Sequence, residues 1–331
     1  MSSPAAASPA APAEARLRPR PGSLRREILK HRWCYVFVLP SLVLAGMFTF
    51  YPMVMSWYYS FLDWTGVTSA RTWVGLANYV ELIHDPMFWA AFGRSFLFVA
   101  VAVPLRLGLS LLVAMALNGP VLRMASAFRT FFFIPVVMSA AITGVIMQFV
   151  LSSYKGPMNG LLQALGIIDA PVDFLGDPGT ALWAVIAVQV WKDFGITMIY
   201  WLAALQTVPT VYYEAARIDG AGRWEILRHI TLPIILPFVL IITLLTVNGT
   251  LHVFGIVQAM TGGGPYFSTQ VIETYIYQTA FSAGDVNGGV PRLGYASAAG
   301  VFFGVAVMVI AAVQLWAARR AGSMRSDLGE A

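Results

Sequence analysis

The sequence predicts an all-α, polytopic membrane protein with six transmembrane helices. Three observations carry this. Of 331 residues, 58% are hydrophobic and only 11% are charged, against about 25% charged in soluble domains. Six apolar runs each reach the roughly 20 residues that a helix needs to cross a bilayer. Lys and Arg gather on alternate loops, as they do beside spans of fixed orientation. A mean hydropathy of +0.70 agrees. The composition excludes a cytosolic enzyme and a secreted domain. The net charge of +5 reflects membrane orientation, not nucleic acid. A single cysteine, Cys34, excludes a disulfide framework and a multi-thiolate metal site.

Residues 1–30 are rich in Ala, Pro, Ser and Arg. They cannot bury enough apolar surface to offset ordering, which predicts a disordered cytoplasmic tail. The apolar stretch that follows is too long for a signal-peptide core, so it is read as a retained first helix. Spans are expected at 33–61, 88–117, 128–151, 181–205, 232–260 and 293–318, within a six-helix domain over 31–320. Pro40, Pro52, Pro104, Pro135 and Pro237 interrupt them, which membrane helices tolerate when neighbours satisfy the freed backbone groups. Residues 321–331 form a C-terminal tail.

Basic residues crowd the stretch through Arg32. They flank the second connection (Arg123, Arg129), recur in the fourth (Arg217, Arg223, Arg228) and follow span six (Arg319, Arg320, Arg325). The other loops hold Arg71, Lys155 and Arg292 among many acids. This predicts a plasma-membrane protein with both termini cytoplasmic.

No lysine follows a glycine, so the chain cannot build a Walker A phosphate loop. His31, His84, His229 and His252 lack metal-ligand spacing, and no nucleophile–base motif of a hydrolase appears. No catalytic residue, metal or cofactor is expected.

The fourth connection, 206–233, carries the most specific pattern. Pro209 closes one helix, and Thr210 is expected to cap the next. Ala215 and Ala216 present a small, approachable face. Gly220 and Gly222 form a turn, then a second short helix runs from Trp224 to His229 until Pro233 ends or redirects it. Glu214, Arg217, Asp219 and Arg223 supply pairable charges at the rim of this elbow.

Glu214, Ala215, Ala216, Gly220, Ile230, Leu232 and Pro233 stand in the register of the EAA motif. The chain therefore resembles the permease subunits of binding-protein-dependent ABC importers, of the type I six-span kind. The stretches 128–135, 156–162, 202–206, 261–265 and 294–298 are similar to the carbohydrate-uptake branch, to its maltose F-type and glycerol-phosphate A-type members. The large insertion and extra N-terminal spans of the maltose F-type subunit are not seen. The resemblance implies a subunit without its own ATPase site, forming half of a sugar pathway. Its implied partners are a second permease, a cytoplasmic ATPase dimer and an extracytoplasmic solute-binding protein. Glu214 to Gly222 is the implied ATPase-docking loop. A di- or oligosaccharide is the implied substrate, with polyols or glycerol phosphate esters as alternatives. A secondary transporter driven by an ion gradient is the rival class, and it leaves the elbow unexplained.

Gln189, Asp193, Thr197 and Tyr200 share one polar stripe on helix four, and Asn248 and His252 repeat the i, i+4 spacing on helix five. An ionisable residue inside a span is a site hypothesis by default. Gln189, Asp193, Tyr200, Asn248 and His252 are thus candidate pathway-lining residues. The alternative for the first stripe is structural, with Asp193 paired to Arg106 or near Lys192.

Overall fold

The computed structural model describes residues 32–118, 124–281 and 290–329, so the predicted tail 1–30 and Arg123 lie outside the described residues. The chain divides into two compact units, Met1–Met55 and Ser56–Ala331. In the first unit, α1 (Arg32–Ala45) passes through a π turn, Gly46–Phe50, into α2 (Tyr51–Tyr59), which ends in the second.

The second unit continues with a short antiparallel ribbon, β1 (Leu62–Asp63) and β2 (Thr72–Trp73), in which Leu62 faces Trp73. Then come α3 (Ala77–His84), α4 (Pro86–Leu117), α5 (Ala125–Val137), α6 (Ala140–Val150) and α7 (Pro157–Ala164). After α8 (Ala181–Leu205) follow α9 (Thr210–Ile218), α10 (Arg223–Ile226), a π turn (Leu227–Thr231) and α11 (Leu232–Leu251). The chain ends with α12 (Phe254–Met260), α13 (Ile272–Phe281) and α14 (Leu293–Gly329). The fold is all-α apart from the ribbon. Among the described residues, five helices are long and apolar enough to cross a membrane, six if α5 and α6 count as one span.

The structure adds detail to three spans and shortens one of them. Span three is not straight: α5 and α6 meet at 101°. Met138 and Ser139 between them are extended, and the Ser139 hydroxyl accepts the Ile142 N–H to start the new helix. Span five does not run to 260. Its helix ends at Leu251 and restarts at Phe254, whose N–H donates to the Glu273 carboxylate at 2.9 Å. Span six ends at Ala317 by apolar character, but its helix continues to Gly329 through the predicted C-terminal tail.

Pro233 also fails to stop its helix, because residues Arg223–Leu251 form one 29-residue span. In an α-helix the proline ring collides with the carbonyl four residues back. Here the π turn precedes it, and the Leu232 N–H reaches the Leu227 carbonyl. Pro52 follows the first π turn at the same offset, with the Tyr51 N–H on the Gly46 carbonyl. In both places the wider turn moves the obstructing carbonyl aside.

The core follows α4, α8, α11 and α12. Phe98, Val185, Ile186, Ile256 and Val257 pack in one cluster. Ala114, Met198, Trp201, Leu205 and Ile235 pack in a second. Lipid supplies no hydrophobic drive between membrane helices, so close packing must hold them. A β-carbon at Gly195 would lie 2.1 Å from the Phe132 carbonyl oxygen. The missing side chain is what lets α5 lie against α8.

Candidate functional site

The elbow folds as the sequence predicts in outline. α9 has its N-cap at Pro209, so Thr210 stands inside the helix and caps nothing. Gly220 takes φ +78°, a left-handed conformation that glycine adopts at little cost. The Ala221 N–H then returns to the Ala216 carbonyl at 2.9 Å, closing the helix end. Gly222 has φ −72°, and its N–H donates to Glu225 Oε2 at 2.7 Å, which fixes the start of α10. Ala216 is buried, whereas Glu214, Ala215, Arg217, Asp219, Gly220 and Gly222 are exposed. Among the described residues, none of Glu214, Arg217, Asp219 and Arg223 forms an ion pair. Ile218 is 86% exposed and Trp224 68%. The elbow therefore presents exposed charges, unpaired among the described residues, around the apolar Ile218 and Trp224.

The stripe on α8 is occupied by its own partners. Arg106 Nη1 lies 3.2 Å from Asp193 Oδ2, and Arg106 Nε donates to Thr197 Oγ1 at 2.6 Å. Gln189 Nε2 donates to the same Asp193 oxygen at 2.7 Å, and Lys192 Nζ stands 3.4 Å from the other. Gln189 and Arg106 are buried. One carboxylate thus answers two cations and an amide inside the spans. The pairing with Arg106 was the structural alternative for this stripe. Tyr200, two turns further along the same face, is exposed.

The stripe proposed on helix five does not form as one helical face. Asn248 is exposed on α11, but His252 lies beyond the end of that helix. His252 Nδ1 sits 2.7 Å from Glu273 Oε1. Glu273 therefore clasps both sides of the break, holding His252 and capping α12. In the sequence Glu273 carries no signal beyond that of a loop acid.

The two broken spans are broken side by side. A β-carbon at Gly255 would stand 3.0 Å from Ala140 Cβ, and one at Gly144 would stand 2.4 Å from Ala259 Cβ. Gln148 Nε2 donates to the Ala259 and Met260 carbonyls at 3.0 and 2.9 Å. Thus α6 and α12 start together and run parallel as one packed pair. Gln148 was not singled out in the sequence, although an amide inside an apolar run was the available signal.

A second network lies on the face opposite the elbow. Asp85 caps α4 through the Met87 N–H, and its carboxylate accepts from the Tyr275 and Tyr295 hydroxyls. Burial pushes the Asp85 carboxyl up, but these hydrogen bonds outweigh it and hold it below its ordinary 3.8. Arg292 forks onto Glu81 at 2.6 and 2.7 Å. That hydrogen bond holds the Glu81 carboxyl below its ordinary 4.5. A cavity of about 610 Å³ lies between α6, α7 and α8, lined by Met147, Leu151, Met158, Leu162, Trp183 and Trp191. It offers almost no polar group.

A bundle of apolar spans with two broken helices and one exposed helix–turn–helix defines a multi-pass transport component of a membrane. The chain belongs to the family described as the binding-protein-dependent transport system inner membrane component, which matches residues 106–323. It is 34% identical over 299 residues to the lactose transport system permease protein LacF of Rhizobium radiobacter, covering 90% of this chain and 97% of that one. It is 30% identical over 290 residues to the multiple sugar-binding transport system permease protein MsmF of Streptococcus mutans, covering 88% and 96%. Its fold matches a bacterial ABC transporter that imports the acidic polysaccharide alginate. The TM-score there is 0.76 at 25% identity, over 90% of this chain and 99% of that one. A second structure of an alginate transporter, in complex with an alginate pentasaccharide-bound periplasmic protein, matches with a TM-score of 0.75 at 25% identity, over 89% and 96%.

Proposed function

We propose that this permease forms one half of a sugar pathway in an ATP-driven importer and pairs with a second, similar permease. The elbow at 206–233 is the docking loop for a cytoplasmic ATPase, with Glu214, Ala215, Arg217, Asp219 and Gly220 at the contact. The observation that carries this reading is the exposed charge of the elbow, without an ion-pair partner among the described residues, around the left-handed turn at Gly220. The chain itself performs no chemistry: the ATPase subunits hydrolyse ATP, and this subunit transmits their closure to its spans. Both termini and the elbow are cytoplasmic in this reading, and the opposite face receives an extracytoplasmic solute-binding protein.

A di- or oligosaccharide is the favoured substrate, because the relatives named for lactose and multiple sugars align over nearly the whole chain. Tyr200, Asn248 and His252 are exposed and stand as pathway-lining residues. Gln189 and Asp193 act on the pathway through Arg106, by fixing α4 to α8. The paired breaks at Ser139 and His252 let α6 and α12 move together while the long helices below them stay intact.

The test is reconstitution of the permease pair, ATPase and solute-binding protein in liposomes. Sugar uptake should require ATP and the binding protein. Uptake driven by an ion gradient without ATP would overturn the reading.

A further inference from the structure

The cavity between α6, α7 and α8 has no part in docking or in a sugar pathway. Met147 and Val150 of α6 line it, with Met158 and Leu162 of α7. It extends along α8 from Trp183 to Trp191, a length of about 12 Å in an α-helix. The two indoles are 50% and 45% exposed. Ala187, midway between them on the same face, is exposed as well. Its small side chain leaves a notch between two rings, and there the cavity opens onto the apolar surface of a span.

Among the lining side chains, only Thr180 and the two tryptophans carry a polar atom. The Thr180 hydroxyl is occupied by the Asp173 and Phe174 carbonyls at 3.1 and 3.2 Å. A space of about 610 Å³ has room for about twenty waters but offers them almost no partners. Apolar cavities of this kind stay dry and take apolar ligands. A sugar hydroxyl or a length of peptide backbone would enter unsatisfied. The fitting occupant is apolar along its length, narrow, and able to arrive from the side of a span. The hydrocarbon around the spans supplies such a group, the acyl chain.

Charge at the same end favours a phospholipid. Lys155 lies in the turn from α6 to α7, is exposed, and forms no ion pair among the described residues. The acids nearby in sequence to the cavity wall, Asp173 and Asp177, are turned onto the amides of Gly176 and Gly179. A phosphate complements the free cation.

We infer that this cavity binds one acyl chain of a phospholipid, which enters over Ala187 between Trp183 and Trp191 with its phosphate toward Lys155. The chain fills the space that separates α6 from α8, and so helps to brace the pair of α6 and α12. The experiment places the complete transport complex in nanodiscs of phosphatidylethanolamine and phosphatidylglycerol. A trace of the phosphatidylglycerol carries a diazirine on one acyl chain. After illumination, labelled peptides are mapped by mass spectrometry. Label is expected on Met147, Met158 and Leu162. Ala187→Trp fills the notch at an exposed position. It should lower that label about tenfold, the change that follows from withdrawing two methylene groups from burial. Ala187→Leu, a smaller change, should lower it in the same direction. Label on Phe149, 72% exposed elsewhere on α6, should not change. Lys155→Glu should also lower the cavity label, and an unchanged value there would overturn the phosphate contact. A cavity that stays unlabelled in the wild type, whether empty or filled by a side chain of the second permease, would overturn the site. So would label that survives both Ala187 variants in an assembled complex.

Discussion

Arg106 on α4 and Asp193 on α8 meet inside the spans, with 8% and 19% of their side chains exposed. Removing one partner of such a pair strands the other charge, at a cost of about 3–5 kcal/mol. Arg106→Met and Asp193→Leu should each lower the thermal stability of the detergent-solubilised protein sharply. The double variant should recover much of the loss. Single variants as stable as the wild type would show that the pair holds nothing.

Gly195→Ala tests the contact of α5 with α8. Its β-carbon would meet the Phe132 backbone, which cannot swing away as a side chain can. The expected loss is about 1–3 kcal/mol, as for other overpacked sites. Gly249→Ala, where nothing lies within 4 Å of the new carbon, should cost far less in the same melting assay.

The elbow is tested by Ala215→Trp and Gly220→Val. Ala215 is exposed, so the indole should fit this chain while obstructing a docked ATPase. Valine at Gly220 meets open space but a forbidden φ. Uptake should be lost in both while the protein still inserts. Normal uptake at normal expression would remove the elbow from coupling.

Acid should loosen the network of Asp85 and Glu81. Both carboxyls lie below their ordinary values when folded. Their contribution is therefore complete above the ordinary carboxylate range and is lost as pH falls through the lowered values. Hydrogen exchange of α3 and α13, corrected for the intrinsic pH dependence of amide exchange, should stay flat from pH 8 to about 5 and rise only below about 4. A rise that begins near pH 6 would contradict the assignment.

Orientation can be read with a cysteine in place of exposed Asp173 or Gly222, in a background without Cys34. An impermeant thiol reagent should label the first in intact cells and the second only after permeabilisation. The reverse pattern would invert the topology.

Much of this architecture was legible in the sequence, and the failures share a cause. Spans two and four were read correctly, because apolar length fixes a straight membrane helix almost alone. The Gly220 turn was legible too, since its geometry is local. The breaks at Ser139 and His252 were not. Both lie within continuous apolar runs, and what stabilises them is distant: Glu273 for one, the packing of Gly144 on Ala259 for the other. The role of Asp193 failed to resolve for the same reason. Its stripe on α8 was visible, but Arg106 sits 87 positions earlier, and spacing along one helix cannot say what faces it. The π turns ahead of Pro52 and Pro233 were missed because a proline signals an obstruction without showing how the chain goes round it.

The amide of Gln148 and the carbonyls it holds are 111 and 112 positions apart. A ribosome adding about 5–20 residues each second leaves an interval on the order of ten seconds between them. During that time α6 has no α12 beside it, and a polar amide stands beside a bent backbone in lipid. The nascent chain must spend this interval sheltered by the insertion machinery, or with α6 still lying at the headgroups. Assembly of the third span is thus complete only when the fifth arrives. A ribosome stalled between them should yield a chain whose first, second and fourth spans resist proteolysis while the third remains open to it.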